Sequence, residues 1–140
     1  MSTKIGLQGE LLASSILLSY GIDNDLVSKD MYDIVAWFDQ KPMRVQVKAT
    51  KKPFEEDNLK SRRYNFQTGY GSDKKPYLEN QIDFLILVAL DKRIAHFMMP
   101  HSNKTKKIYQ HQMTIENEQN TFNMIKDKLE GAMSREYDIY

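Results

Sequence analysis

Asp33, Gln46 and Lys48 fall within "YDIVAWFDQKPMRVQVKAT", Tyr32 to Thr50, which reads as two strands joined by a turn. The first strand is apolar but opens on Asp33. The second alternates, with Arg44, Gln46, Lys48 and Thr50 on one side and Val45, Val47 and Ala49 on the other. A turn centred on Gln40-Lys41 would oppose Phe38 to Met43, Val35 to Gln46 and Asp33 to Lys48. Opposed residues share a face with Cβ atoms roughly 5 Å apart, so the three polar side chains would form one group. A carboxylate and an amide carbonyl are hard oxygen ligands of the kind Mg²⁺ takes alongside water and phosphate. A lysine beside them can stabilise charge developing on that phosphate. The same trio reads also as a cross-strand ion pair on a wetted face, worth a few tenths to about 1 kcal/mol.

These residues need elements to position them. "GLQGELLASSILLSYG" has helical spacing, with Leu7, Leu11 and Leu18 as its apolar stripe and Gly21 suited to the left-handed residue past its end. Glu10 lies on or near the inward side of that helix, with Leu17 two turns on; a helical Glu aimed at a sheet needs a partner or a metal. A Glu in a first turn also complements the helix dipole. Leu26-Val27 is a short strand in a polar connector. "RRYNFQT" alternates as a strand, and "GYGSDKKPYLENQ" is a long loop. "IDFLILVAL" is a strand buried on both faces. "DKR" turns the chain into "IAHFMMP", stopped by Pro100. "KIYQHQMTI" reads as another strand, and "NTFNMIKDKLEGAM" as a closing helix with Phe122, Ile125 and Leu129 inward and Gly131 near its end. A helix, a central set of strands and a final helix make a mixed α+β (α/β) domain spanning 1–140.

Composition sets the bounds. At 140 residues, with 41% apolar and 28% charged residues, the chain fits one globular domain. No apolar run approaches the ~18 residues of a membrane span, and no secretory signal pattern opens the chain. The absence of cysteine removes thiolate catalysis and Cys-based zinc sites, and suits a reducing, cytoplasmic setting. Net charge is only +1, yet basic residues cluster at Lys51-Lys52, Arg62-Arg63, Lys74-Lys75 and Lys104 to Lys107. Such clusters can present one basic face to phosphates, or simply solvate the surface.

"GELL" on the first helix, "YDIV" opening a strand and "QVKAT" on the next, followed by "RRYNFQT" and "IDFLILVALDKRIAHFMMP", resemble the PD-(D/E)XK nuclease superfamily, in particular its group I intron-associated homing endonucleases. More loosely they are similar to archaeal Holliday-junction resolvases. The similarity spans roughly residues 5–100. It implies a restriction-endonuclease-like core, a central mixed sheet flanked by helices, with the site on the β-hairpin. It implies a Mg²⁺-dependent endonuclease, with Mn²⁺ able to substitute, that hydrolyses phosphodiester bonds of double-stranded DNA. Asp33 would be the central metal ligand and Glu10 a helper acid near the metal. Gln46 would stand where most relatives carry Asp or Glu, and Lys48 would position the attacking water. Lys51, Lys52, Arg62, Arg63, Lys74 and Lys75 would hold the DNA backbone, and Tyr64, Tyr70 and Tyr77 could stack or bond to phosphate. Cutting both strands implies a homodimer or homotetramer.

Other readings are a resolvase, an inactive DNA-binding module of the same fold, and an HNH-type site built on His96, His101, Asn103 and His111. The last has the residues but not their order. No phosphate loop, nucleotide fingerprint or Ser/His/Asp arrangement is present.

Overall fold

The computed structural model describes residues 3–27, 31–54, 62–70, 75–77 and 81–137. In chain order the elements are α1 (Lys4–Ser19), β1 (Asn24–Leu26), β2 (Ile34–Phe38), β3 (Lys41–Thr50), β4 (Arg63–Gln67), β5 (Gly69–Tyr70), β6 (Lys75–Pro76), β7 (Phe84–Ala89), β8 (Ile94–Met98), β9 (Thr105–Tyr109) and α2 (Ile115–Tyr137). The main sheet runs β1-β2-β3-β7-β8. Only β3 and β7 pair in parallel; the other neighbours are antiparallel, so the sheet is mixed.

β7 explains the two-layered core. All six of its residues are buried. Phe84, Ile86 and Val88 join one apolar cluster, while Leu85, Leu87 and Ala89 join another. Alternation sends successive side chains to opposite faces, so the sheet is covered on both sides. The first cluster holds Ala13, Ile16 and Leu17 of α1 with Phe122, Ile125 and Leu129 of α2. Both helices therefore lie on one face. The other face is covered by a β4–β9 ribbon through Tyr64, Phe66 and Ile108. The flanking is by helices on one side and by a ribbon on the other.

Several expectations change in detail. The apolar stripe Leu7, Leu11 and Leu18 is turned outward, at 47%, 51% and 55% exposure, and α1 buries Gly9, Ala13, Ile16 and Leu17 instead. Small residues at positions 9 and 13 let the helix approach the sheet more closely than leucines would allow. Gly131 does not end α2, which continues to Tyr137. The strand expected at Leu26-Val27 is Asn24–Leu26, and "KIYQHQMTI" divides into β9 and a single 3-10 turn at Gln110–Gln112. Thr3 caps α1, its side chain accepting from Gly6 N at 3.0 Å, and Gly21 takes φ +79° past the helix end, as read from the sequence.

The contact between α1 and β3 sets the helix against the strand that carries the site. A Cβ at Gly9 would lie 2.5 Å from Ala49 Cβ and 3.7 Å from Val47 Cγ1. Gly9→Ala should therefore lose about 1–3 kcal/mol to overpacking, outweighing the roughly 1 kcal/mol of helix propensity it gains. Urea unfolding measures this, and adding Ala49→Gly should recover most of the loss by removing the atom that the new methyl strikes.

Candidate active site

The β2–β3 hairpin has a two-residue turn, Asp39-Gln40, with φ of +49° and +69°. Positive φ at both central residues matches a type I′ turn, which follows the strand twist; Asp tolerates that region well. The register is Ile34↔Val45, Val35↔Arg44, Ala36↔Met43, Trp37↔Pro42 and Phe38↔Lys41. It differs by two residues from the pairing expected from the sequence. Asp33 consequently stands beside Gln46, not opposite Lys48. Side-chain direction repeats every two residues, so the shift leaves Asp33, Gln46 and Lys48 on one face.

That face is the ribbon side. Gln46 pairs with Leu85 and Lys48 with Leu87, both members of the second cluster. Asp33 is tightly held. Its Oδ2 accepts from Gln46 Nε2 at 2.8 Å and from Val47 N at 2.9 Å, while its own backbone N donates to Val45 O at 2.8 Å. Gln46 is 8% exposed, and its amide nitrogen also reaches Val47 O at 3.3 Å. Both side-chain bonds to Asp33 fall on Oδ2. Lys48 is half-buried with Nζ 5.3 Å from the centre of the Tyr77 ring, and Tyr77 is itself buried.

The donor set suits a hard divalent cation. A carboxylate oxygen and an amide oxygen side by side, one of them charged, match a Mg²⁺ site completed by water and substrate phosphate. Among the described residues no three His, Asp or Glu side chains are gathered into a ready-made cage. Gln46 supplies an oxygen but no charge. Glu10 is half-buried and follows Gly9, on the helix that packs against the other face of β3.

The expected DNA-contacting residues divide. Lys51, Lys52 and Lys75 are exposed. Arg62 and Arg63 are half-buried, with Nε atoms out of solvent, and the Arg63 guanidinium lies 5.9 Å from the centre of the Tyr109 ring. Lys74 lies outside the described residues. Tyr64 is buried and donates to both carboxylate oxygens of Asp91 at 2.9 Å, so it anchors the ribbon; burial, more than that carboxylate, pushes its pKa upward.

Sequence reasoning passed over Asp83. It accepts from Arg44 N at 2.7 Å and Arg44 Nε at 3.2 Å, and its own N donates to Arg44 O at 2.8 Å. This clamp aligns β7 with β3 two residues before Gln46. The available signal was an Asp opening an all-apolar strand, as Asp33 does for β2.

The histidines do not form a site. His96 is on β8, where Nδ1 lies 3.1 Å from Asn117 Nδ2; His101 Nδ1 accepts from Asn103 N, and the His111 ring stacks on Tyr109. Burial lowers the His96 pKa from 6.5 to about 4, with Lys106 adding a smaller effect of the same sign. Protonation thus favours the unfolded chain. Stability from this residue is full above pH 6.5 and falls as pH drops towards 4. At ~1.4 kcal/mol per unit the loss is about 3 kcal/mol at most. Urea midpoints at several pH values should show a shallower acid loss in His96→Gln than in wild type.

The mixed sheet, its two helices and its ribbon make a fold similar to that of a bacterial homing endonuclease. That solved structure, of I-Ssp6803I, is one to which the chain is similar, with a TM-score of 0.65 at 14% sequence identity, covering 98% of this chain and 99% of that one. No family model and no curated protein matches the chain. Among the described residues, no helix is long and apolar enough to cross a membrane.

Proposed function

We propose that this protein is a metal-dependent DNA endonuclease of the PD-(D/E)XK type, hydrolysing phosphodiester bonds in double-stranded DNA at a homing-type or restriction-like site. The observation that carries the reading is the row Asp33, Gln46, Lys48 on one face of adjoining strands, with Gln46 Nε2 fixed to Asp33 at 2.8 Å. That arrangement occurs within a fold similar to that of a homing endonuclease.

Each residue has a role its chemistry can fill. Asp33 Oδ1 and Gln46 Oε1 would hold Mg²⁺, or Mn²⁺ in its place, and Glu10 would help from α1. When bound, the ion supplies an activated water and offsets charge on the phosphate. Lys48 directs its ammonium at the phosphate and stabilises the charge that builds there. The Tyr77 ring restricts Lys48 to one region of the site. Asp83 and Arg44 keep β3 and β7 in register beneath the trio. Lys51, Lys52 and Lys75 contact the DNA backbone as point charges. A single site cuts a single strand, so cutting a duplex takes a homodimer or homotetramer, with two-fold symmetry matched by the target.

Plasmid DNA and synthetic four-way junctions, each incubated with Mg²⁺ or EDTA, test the reading. Mg²⁺-dependent double-strand cuts support it. Paired nicks confined to the junction would make the protein a resolvase, and binding without any cut would make it an inactive DNA-binding module.

A further inference from the structure

We infer that the cavity past the end of β3 is a nucleobase pocket, which holds an unstacked base next to the scissile phosphate and contributes to sequence preference. The inference rests on the endonuclease reading above. The cavity has a volume of about 450 Å³ and is lined by Thr50, Lys52, Pro53, Phe54 and Asn65. Small-molecule sites run from ~300 to ~1,000 Å³, so a base with its sugar fits.

Its position follows from the strand. Gln46, Lys48 and Thr50 alternate on one face of β3, and two residues of strand advance about 6.6 Å. Thr50 therefore begins the pocket one nucleotide's reach beyond Lys48. A phosphate held at Lys48 has its neighbouring base at the pocket mouth.

The lining matches a base in kind. Phe54 is 59% exposed, a large apolar ring left in water. Its backbone is held, because its N donates to Arg63 O at 2.8 Å in an isolated bridge to β4. Thr50 Oγ1 donates to Lys52 O at 3.3 Å, bracing the bend that follows β3. A solvent-facing aromatic ring on an anchored backbone is a stacking platform, which accepts any base. Asn65 is exposed on β4, between the buried Tyr64 and Phe66. Its amide offers a donor and an acceptor side by side, the pair that matches adenine N7 and N6. Lys52 adds a positive charge at the rim for the adjoining phosphate. A base inside a duplex has both faces covered, so only a base drawn from the stack can lie on Phe54.

The test is equilibrium binding in Ca²⁺, which avoids turnover, to a random-sequence duplex pool, with bound fractions sequenced. Wild type should enrich one base, adenine foremost, at a single position. Phe54→Ala should weaken binding about 5- to 150-fold, the equivalent of ~1–3 kcal/mol per stacked base. Phe54→Trp should restore it. Asn65→Ala should keep most affinity while losing the base preference at that position. Both residues are exposed, and a thermal melt confirms folding. Wild-type binding with no change in either Ala variant would overturn the pocket and leave the endonuclease reading intact. A wild-type protein that binds no DNA would overturn both.

Discussion

Asp33→Ala should remove plasmid cleavage in Mg²⁺, lowering the rate by about 10³-fold or more. Asp33 is the one carboxylate on the ribbon-side face of the hairpin, and Gln46 beside it carries no charge to replace it. The substitution also has a structural cost. Val47 N would lose its acceptor, and Gln46 Nε2 the shorter of its two bonds. Leaving buried donors unpaired costs about 1–3 kcal/mol each, so Asp33→Ala should be less stable as well as inactive. Asp33→Asn separates the two effects. Its side-chain oxygen can still accept from Val47 N, so the fold should hold, while the lost charge should still abolish cleavage. Single-turnover cleavage and urea unfolding of the same preparations measure both.

Lys48→Ala should reduce cleavage about 10²-fold or more while changing DNA affinity little. The ammonium is needed when charge builds on the phosphate, whereas ground-state binding draws on the exposed Lys51, Lys52 and Lys75. Anisotropy binding in Ca²⁺ beside cleavage in Mg²⁺ gives the comparison. Equal losses in affinity and rate would make Lys48 another backbone contact.

Much of this arrangement was legible from residue types. The apolar run from Phe84 to Ala89 had to be a doubly buried strand, and the alternation from Arg44 to Thr50 had to put Gln46 and Lys48 on one face. The hairpin register was not legible. The expected turn at Gln40-Lys41 moved to Asp39-Gln40 because two consecutive residues adopt positive φ, which side-chain identity only weakly signals. The side assignment survived because the error was even. The outward leucines of α1 were misread because periodicity marks an apolar stripe without saying which of two stripes meets the sheet. Gly9 and Ala13 won by their size. Glu10 was read as inward from its place beside Leu7 and Leu11, but those leucines face outward, and periodicity cannot say which face of β3 the helix covers. Asp83 and Phe54 depend on contacts across 39 residues and on a bridge to β4, which no local pattern carries.

The most direct measurement is the Mg²⁺ dependence of plasmid cleavage by wild type, Asp33→Asn and Lys48→Ala, each shown to be folded. Wild type should cut in Mg²⁺ and stop in EDTA, Asp33→Asn should not cut at any Mg²⁺ concentration, and Lys48→Ala should bind DNA normally yet cut slowly. A Lys48→Ala protein that cuts as fast as wild type would contradict the assignment, since Asp33, Gln46 and Lys48 would then be a structural cluster on a sheet face.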